Sequence, residues 1–168
     1  MAQAVYAKLL TEAVFAPYGG VISTDVVNEK TVVVNGGTAR RTPEVVPTHN
    51  LYEAAPSKTP ARAVLNVSLA SPRGVQHSSV NGVRKRVLKV NVLERHKYST
   101  QSFIPMGGNV RYLVVVTDGD KKPNLDKLNA FVAVDRQGIC YGAGVWHAPM
   151  TVVDEVSAQD LNTLKNNS

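Results

Sequence analysis

One cysteine among 168 residues, Cys140, leaves no partner for an internal disulfide and rules out a cysteine-rich zinc site. It falls between Ile139 and Tyr141 in a strand-like run and reads as a buried structural thiol. The chain is therefore expected to be cytoplasmic. Long apolar runs are also missing: none approaches the roughly 20 residues a membrane span requires, so no membrane partner is expected. Met1 to Leu10 has one lysine and no apolar core followed by a cleavage site, so it does not read as a secretory signal. Blocks of like charge are scarce although the formal net charge is +6. The one basic cluster, Arg84-Lys85-Arg86 with Lys89, lies in an alternating run where solvated strand residues explain it, so no nucleic-acid partner is expected. An anionic small substrate would benefit from the same field.

What is present is ordinary for a globular domain. Hydrophobic residues make up 43% and charged residues 19%, which argues against disorder and for a single domain over residues 1–168. Thr11 to Gly20 reads as a short helix that Thr11 caps and Pro17 ends. Strand signals then dominate: Thr31 to Asn35, Ala63 to Ala70, Val83 to Leu93, Arg111 to Thr117 and Ala130 to Val134. Ser71-Pro72-Arg73-Gly74 and Asp135-Arg136-Gln137-Gly138 are turns by composition, the second hairpin-like, and Asn124 to Leu128 makes one helical turn. Thr42 to Arg62 carries Pro43, Pro47, Pro56 and Pro60 and reads as a long surface loop or lid. Ser157 caps a short helix in the polar tail. Many short strands with few helices predict an all-β sandwich or barrel.

Polar chemistry collects in two stretches. Leu93-Glu94-Arg95-His96 leads to Ser99-Thr100-Gln101-Ser102-Phe103-Ile104-Pro105, and Tyr141 to Met150 holds Gly144, the single tryptophan Trp146, and His147. Period two puts Glu94 and His96 on one strand face. A turn after Tyr98 brings Gln101 alongside, and His147 is expected from a facing strand. His49 and His77 have no such company and read as loop residues.

The spacing resembles the two motifs of cupin barrels. Glu94-x-His96 stands where those have two histidines, Gln101 where they have a glutamate, Gly108 follows, and Gly144-x-x-His147 matches the core of the second motif. In cupin positions Glu94, His96, Gln101 and His147 offer oxygen and nitrogen ligands for a divalent metal such as nickel.

The wording is more specific. The stretches just quoted, with Tyr112 to Val116, Pro123-Asn124-Leu125-Asp126, Phe15 to Gly19 and Asn35-Gly36-Gly37-Thr38-Ala39-Arg40, resemble the ureidoglycolate lyase family, closest to its fungal members. The resemblance covers roughly residues 9 to 153; the tail from 151 diverges.

It implies a homodimeric, all-β cupin-like antiparallel barrel or jelly roll, here with short N-terminal and C-terminal helices. The implied enzyme splits ureidoglycolate into glyoxylate and urea in purine catabolism through allantoin. That chemistry needs a base at the hemiaminal hydroxyl, an acid at the departing nitrogen and a donor-rich seat for the carboxylate. On this reading His96 or Glu94 takes the hydroxyl proton, and His147 assists urea departure or helps hold a metal. Gln101 orients the substrate, Trp146 walls the pocket, and Arg73, Arg41, Lys89 or Ser71 seats the carboxylate; the sequence does not choose among these four. Two other readings stay open: an amidohydrolase releasing ammonia, and a non-catalytic cupin that binds a small acid.

Overall fold

The computed structural model describes residues 4–80, 82–107 and 111–153. Short strands follow one another along the chain: β1 (Ala7–Leu9), β2 (Gly19–Ile22), β3 (Val32–Val34), β4 (Ala39–Arg41), β5 (Gln76–Val80), β6 (Val83–Val87) and β7 (Glu94–Arg95). After them come β8 (Gln101–Phe103), β9 (Arg111–Thr117), β10 (Asn129–Val134), β11 (Gly138–Tyr141), β12 (Trp146–His147) and β13 (Thr151–Val152). A helix, α1 (Glu12–Phe15), lies between β1 and β2. The Thr11 hydroxyl oxygen accepts from the Val14 amide at 3.4 Å and caps it, as the sequence suggests. The helix is short, and Gly19 and Gly20 already belong to β2.

Two sheets face each other. One runs β1-β10-β9-β12-β7, with β13 also on β9; the other is β2-β11-β8. Side chains of both meet in one core: Tyr112, Val114 and Val116 of β9 and Phe131 of β10 against Val21 of β2 and Ile139 and Tyr141 of β11. The fully buried Phe15 of α1 joins them, edge-on to Phe131 at 5.8 Å between centroids. β9 and β10 are apolar on both faces because each has strands on both sides and the sheet is covered, the pattern of a central strand. The architecture is the expected cupin-like all-β sandwich or jelly roll, with its barrel not closed. β2 approaches β11 so closely that a Cβ on Gly19, whose φ is +151°, would stand 1.9 Å from the Cys140 carbonyl oxygen. Cys140 itself is buried, as expected.

Several local expectations change. Asp135 to Gly138 does turn the chain, but β10 and β11 lie in different sheets, so the turn carries the chain across the sandwich instead of closing a hairpin. The strand expected over Val83 to Leu93 ends at Val87 and pairs with β5; His77 lies in that ladder opposite Arg86, not in a loop. The run Ala63 to Ala70 forms no strand. Its alternation is strand-like, yet Leu65 is 95% and Leu69 102% exposed, because among the described residues no strand pairs with it. The proline-rich segment expected as loop or lid lies partly against the second sheet. The Leu51 amide donates to the Tyr98 carbonyl at 2.7 Å, and Val46 packs over Gly20. The helix expected at Ser157 and the motif glycine Gly108 lie outside the described residues.

Candidate functional site

The first motif enters on β7 and the second on β12, and the two are hydrogen-bonded neighbours: His147 is the direct cross-strand partner of Glu94. His147 therefore comes from the adjacent strand and not from a facing one, because β12 inserts between β9 and β7. The facing sheet supplies Gln101, on β8, after a turn through Lys97 and Tyr98.

His147 sits at the centre, with a side chain only 2% exposed. Its ring is stacked on Tyr141 at 4.0 Å between centroids and 15° between planes, and on its other neighbour, His96, at 5.6 Å and 27°. Its Nδ1 lies 2.9 Å from the Val145 carbonyl, which can only accept, so Nδ1 carries the proton. Burial, the largest influence, pushes the His147 pKa below its ordinary value; the Val145 carbonyl and the Glu94 charge pull it up, and His96 lowers it. The neutral ring therefore presents a lone pair at Nε2. Gln101 reaches it at 3.1 Å, and a half-turn of the amide places its N–H donors there. Tyr141 is enclosed as well, and burial pushes its phenol pKa up, with Tyr112 and Glu94 adding to the effect.

One oxygen of Glu94 lies 3.6 Å from His147 Nε2 and 3.9 Å from His96 Nε2. Both the carboxylate and the His96 ring are near two-fifths exposed, so the open side of the cluster is theirs. The ligand atoms of Glu94, His96 and His147 all lie within 4.8 Å of one another. A carboxylate facing a lone pair across such a gap is stabilised by a proton or a cation between them, and this oxygen and nitrogen set suits a first-row divalent ion. The Val145 carbonyl would fix the ring for such an ion as outer-shell acceptors do for metal-bound histidines. Gln101 bonds to His147 in this arrangement.

The remaining sequence candidates stand elsewhere. Trp146 is on the opposite face of β12, where its Nε1 donates to the Gly119 carbonyl at 3.1 Å and the Arg95 guanidinium lies 4.7 Å over its ring. Arg41 ends β4, Lys89 follows β6, and Ser71 and Arg73 precede β5; all four are exposed. Arg73 uses its backbone amide to meet the Val152 carbonyl at 2.9 Å. Among the described residues none of these four makes a hydrogen bond or ion pair with the cluster. Two open depressions of about 200 and 430 Å³ lie beside Ser23–Asp25 and beside Tyr18 and Gly119, and neither includes Glu94, His96, Gln101 or His147. The chemistry, not the concavity, marks the site. Sequence reasoning missed Tyr141 and the Val145 carbonyl; the only available signal for Tyr141 was its place at the head of the second motif.

A family model described as ureidoglycolate lyase matches residues 2–166. The chain belongs to the ureidoglycolate lyase family. Relatives named ureidoglycolate lyase include one from Schizosaccharomyces pombe, 37% identical over 90% of this chain and 80% of its own length. Another, from Saccharomyces cerevisiae, is 33% identical over 95% of this chain and 84% of its own. A third, from Burkholderia cepacia, is 33% identical over 88% and 72%. Within the family's stretch, both polar motifs fall on β7, β8, β11 and β12, the strands that build the His147 cluster.

Proposed function

We propose that this chain is a ureidoglycolate lyase, cleaving ureidoglycolate to glyoxylate and urea. The observation that carries the reading is the Glu94–His147–Gln101 constellation, with His96 at its open side, in a chain of a family whose relatives bear that name. Glu94 takes the hydroxyl proton of the hemiaminal, its oxygen being exposed to substrate and flanked by two imidazoles. His96, equally accessible, returns a proton to the departing ureide nitrogen. His147 is buried and held by the Val145 carbonyl; it fixes the positions of Glu94 and Gln101. Gln101 orients the substrate through its amide.

Glu94, His96 and His147 are also the residues that would hold a divalent cation such as nickel. Bound there, it would supply Lewis acidity to the substrate oxygens. The carboxylate seat falls to Arg73, Arg41, Lys89 or Ser71, outside the cluster. Trp146 acts on the substrate only through the strand it shares with His147.

The functional unit is taken as one domain over residues 1–168, acting in the cytoplasm with Cys140 as a reduced thiol. We infer a homodimer. The exposed apolar run Val64, Leu65, Val67 and Leu69 supports it, since a second copy can cover what this chain leaves bare. The test of the catalytic reading is turnover of ureidoglycolate by purified wild type and by His96→Ala and His147→Ala variants. Loss of urea release in both variants is expected. Unchanged turnover in both would refute the site.

A further inference from the structure

The second motif places one more polar group in the cluster. Tyr141 is the direct cross-strand partner of Gln101, so the two side chains share a face. Its ring lies flat on His147, and the residue is 2% exposed. The other enclosed phenol of the core, Tyr112, donates to the Gln137 carbonyl at 2.6 Å. The Tyr141 hydroxyl has no hydrogen-bond partner among the described residues. No side-chain nitrogen or oxygen sealed from solvent lacks a partner among those residues, so this hydroxyl is not fully sealed. A hydroxyl that pairs with no group of the described residues and is not sealed off is open to the acceptor of a bound ligand.

We propose that the Tyr141 hydroxyl is a substrate-facing donor that holds the carbonyl oxygen of a neutral ureido group. This assignment rests on the lyase reading above. The choice of oxygen follows from charge. The Glu94 carboxylate lies 3.6 Å from the His147 ring on which Tyr141 is stacked, so a substrate carboxylate is repelled from this end and the uncharged ureido end is not. Gln101, on the same face, presents an amide complementary to urea. In the reaction the base removes the hydroxyl proton and the oxygen's electron pair forms the aldehyde C=O of glyoxylate. The C–N bond breaks, and its electron pair passes to the ureide nitrogen and its carbonyl oxygen. The nitrogen then takes a proton and urea leaves. Tyr141 meets the carbonyl oxygen as it gains charge, while keeping its own proton.

Tyr141→Phe keeps the stacked ring and removes only the hydroxyl. In the full-length enzyme kcat/KM for ureidoglycolate should fall on the order of 10²-fold, the usual cost of one such donor. Inhibition by urea should weaken about tenfold. Inhibition by glyoxylate and the melting temperature should not change. Tyr112→Phe is the control: it loses a satisfied hydrogen bond, so its melting temperature should drop by roughly a few degrees with urea inhibition intact. Unchanged kcat/KM in Tyr141→Phe overturns the assignment. So does a loss of glyoxylate affinity with urea affinity retained, which would put the carboxylate at this hydroxyl. If wild type releases no urea from ureidoglycolate, it is the lyase reading that fails; direct titration of wild type and Tyr141→Phe with urea still decides the role of Tyr141.

Discussion

Replacing Glu94 by glutamine keeps the size and shape of the side chain and removes its charge. The side chain is 42% exposed, so no buried ion is stranded, and folding stability near neutral pH should change by less than about 0.5 kcal/mol. What disappears is the base at the hemiaminal hydroxyl. A positioned base contributes about 10²- to 10⁴-fold, so the barrier should rise by about 3–5 kcal/mol. There is a second signature. Burial holds the His147 pKa below its ordinary value of 6.5, and the Glu94 charge partly offsets that. Without Glu94 the folded value falls further. A histidine with a depressed folded pKa contributes stability that is fully present above the unfolded value and is lost as pH falls toward the folded one; a lower folded value lengthens that loss. Glu94→Gln should thus match wild type in thermal melts near neutral pH and be the less stable of the two in acid, below 6.5. Assays of urea and glyoxylate release, melts at both pH values and an NMR titration of the His147 ring measure all three effects. Turnover within about threefold of wild type would refute the role given to Glu94.

Other outcomes follow from the same geometry. His147→Ala removes a buried ring stacked on Tyr141 and leaves the Val145 carbonyl without its donor; denaturant unfolding should show a loss of about 3–5 kcal/mol together with loss of activity. Gly19→Ala would drive a Cβ to 1.9 Å from the Cys140 carbonyl oxygen at a φ of +151°, separating β2 from β11; a loss above about 4 kcal/mol or insoluble expression is expected, and a near-native melt would contradict the close strand approach. Thr117→Val deletes the buried hydroxyl that donates to the Asn124 carbonyl at 2.6 Å, which should cost about 1–3 kcal/mol in equilibrium unfolding. Wild-type turnover should decline as pH falls below 6.5, because the lone pair of neutral His147 is lost on protonation; a rate that rises in that range would contradict a neutral His147.

The residues of the cluster were legible in one dimension because two rules are local. Period two puts Glu94 and His96 together, and the motif wording marks Gln101 and His147. Which strands would meet was not local information. β12 lies between β9 and β7, so His147 pairs with Glu94 directly, a register that the intervening segments decide. Tyr141 was hidden for a related reason. In an apolar strand an aromatic looks like core, and only its pairing with Gln101 and its stacking on His147 bring it into the cluster. Trp146 shows the converse: adjacent in sequence to His147, it faces the other way and binds Gly119. The run from Ala63 to Ala70 has the alternation of a strand, but a strand also needs an edge to pair with, and the described residues supply none there. The basic candidates for the carboxylate seat were plausible by charge alone, and charge says nothing about distance.

The central claim is that the Glu94–His147–Gln101 cluster expels urea intact from ureidoglycolate. The most direct test is to give the purified chain ureidoglycolate carrying nitrogen-15 in both ureido positions and to follow the nitrogen products by NMR. The lyase reading predicts labelled urea and glyoxylate formed in equal amounts, with no labelled ammonium. Labelled ammonium as the nitrogen product, or no product while glyoxylate still binds, would contradict it.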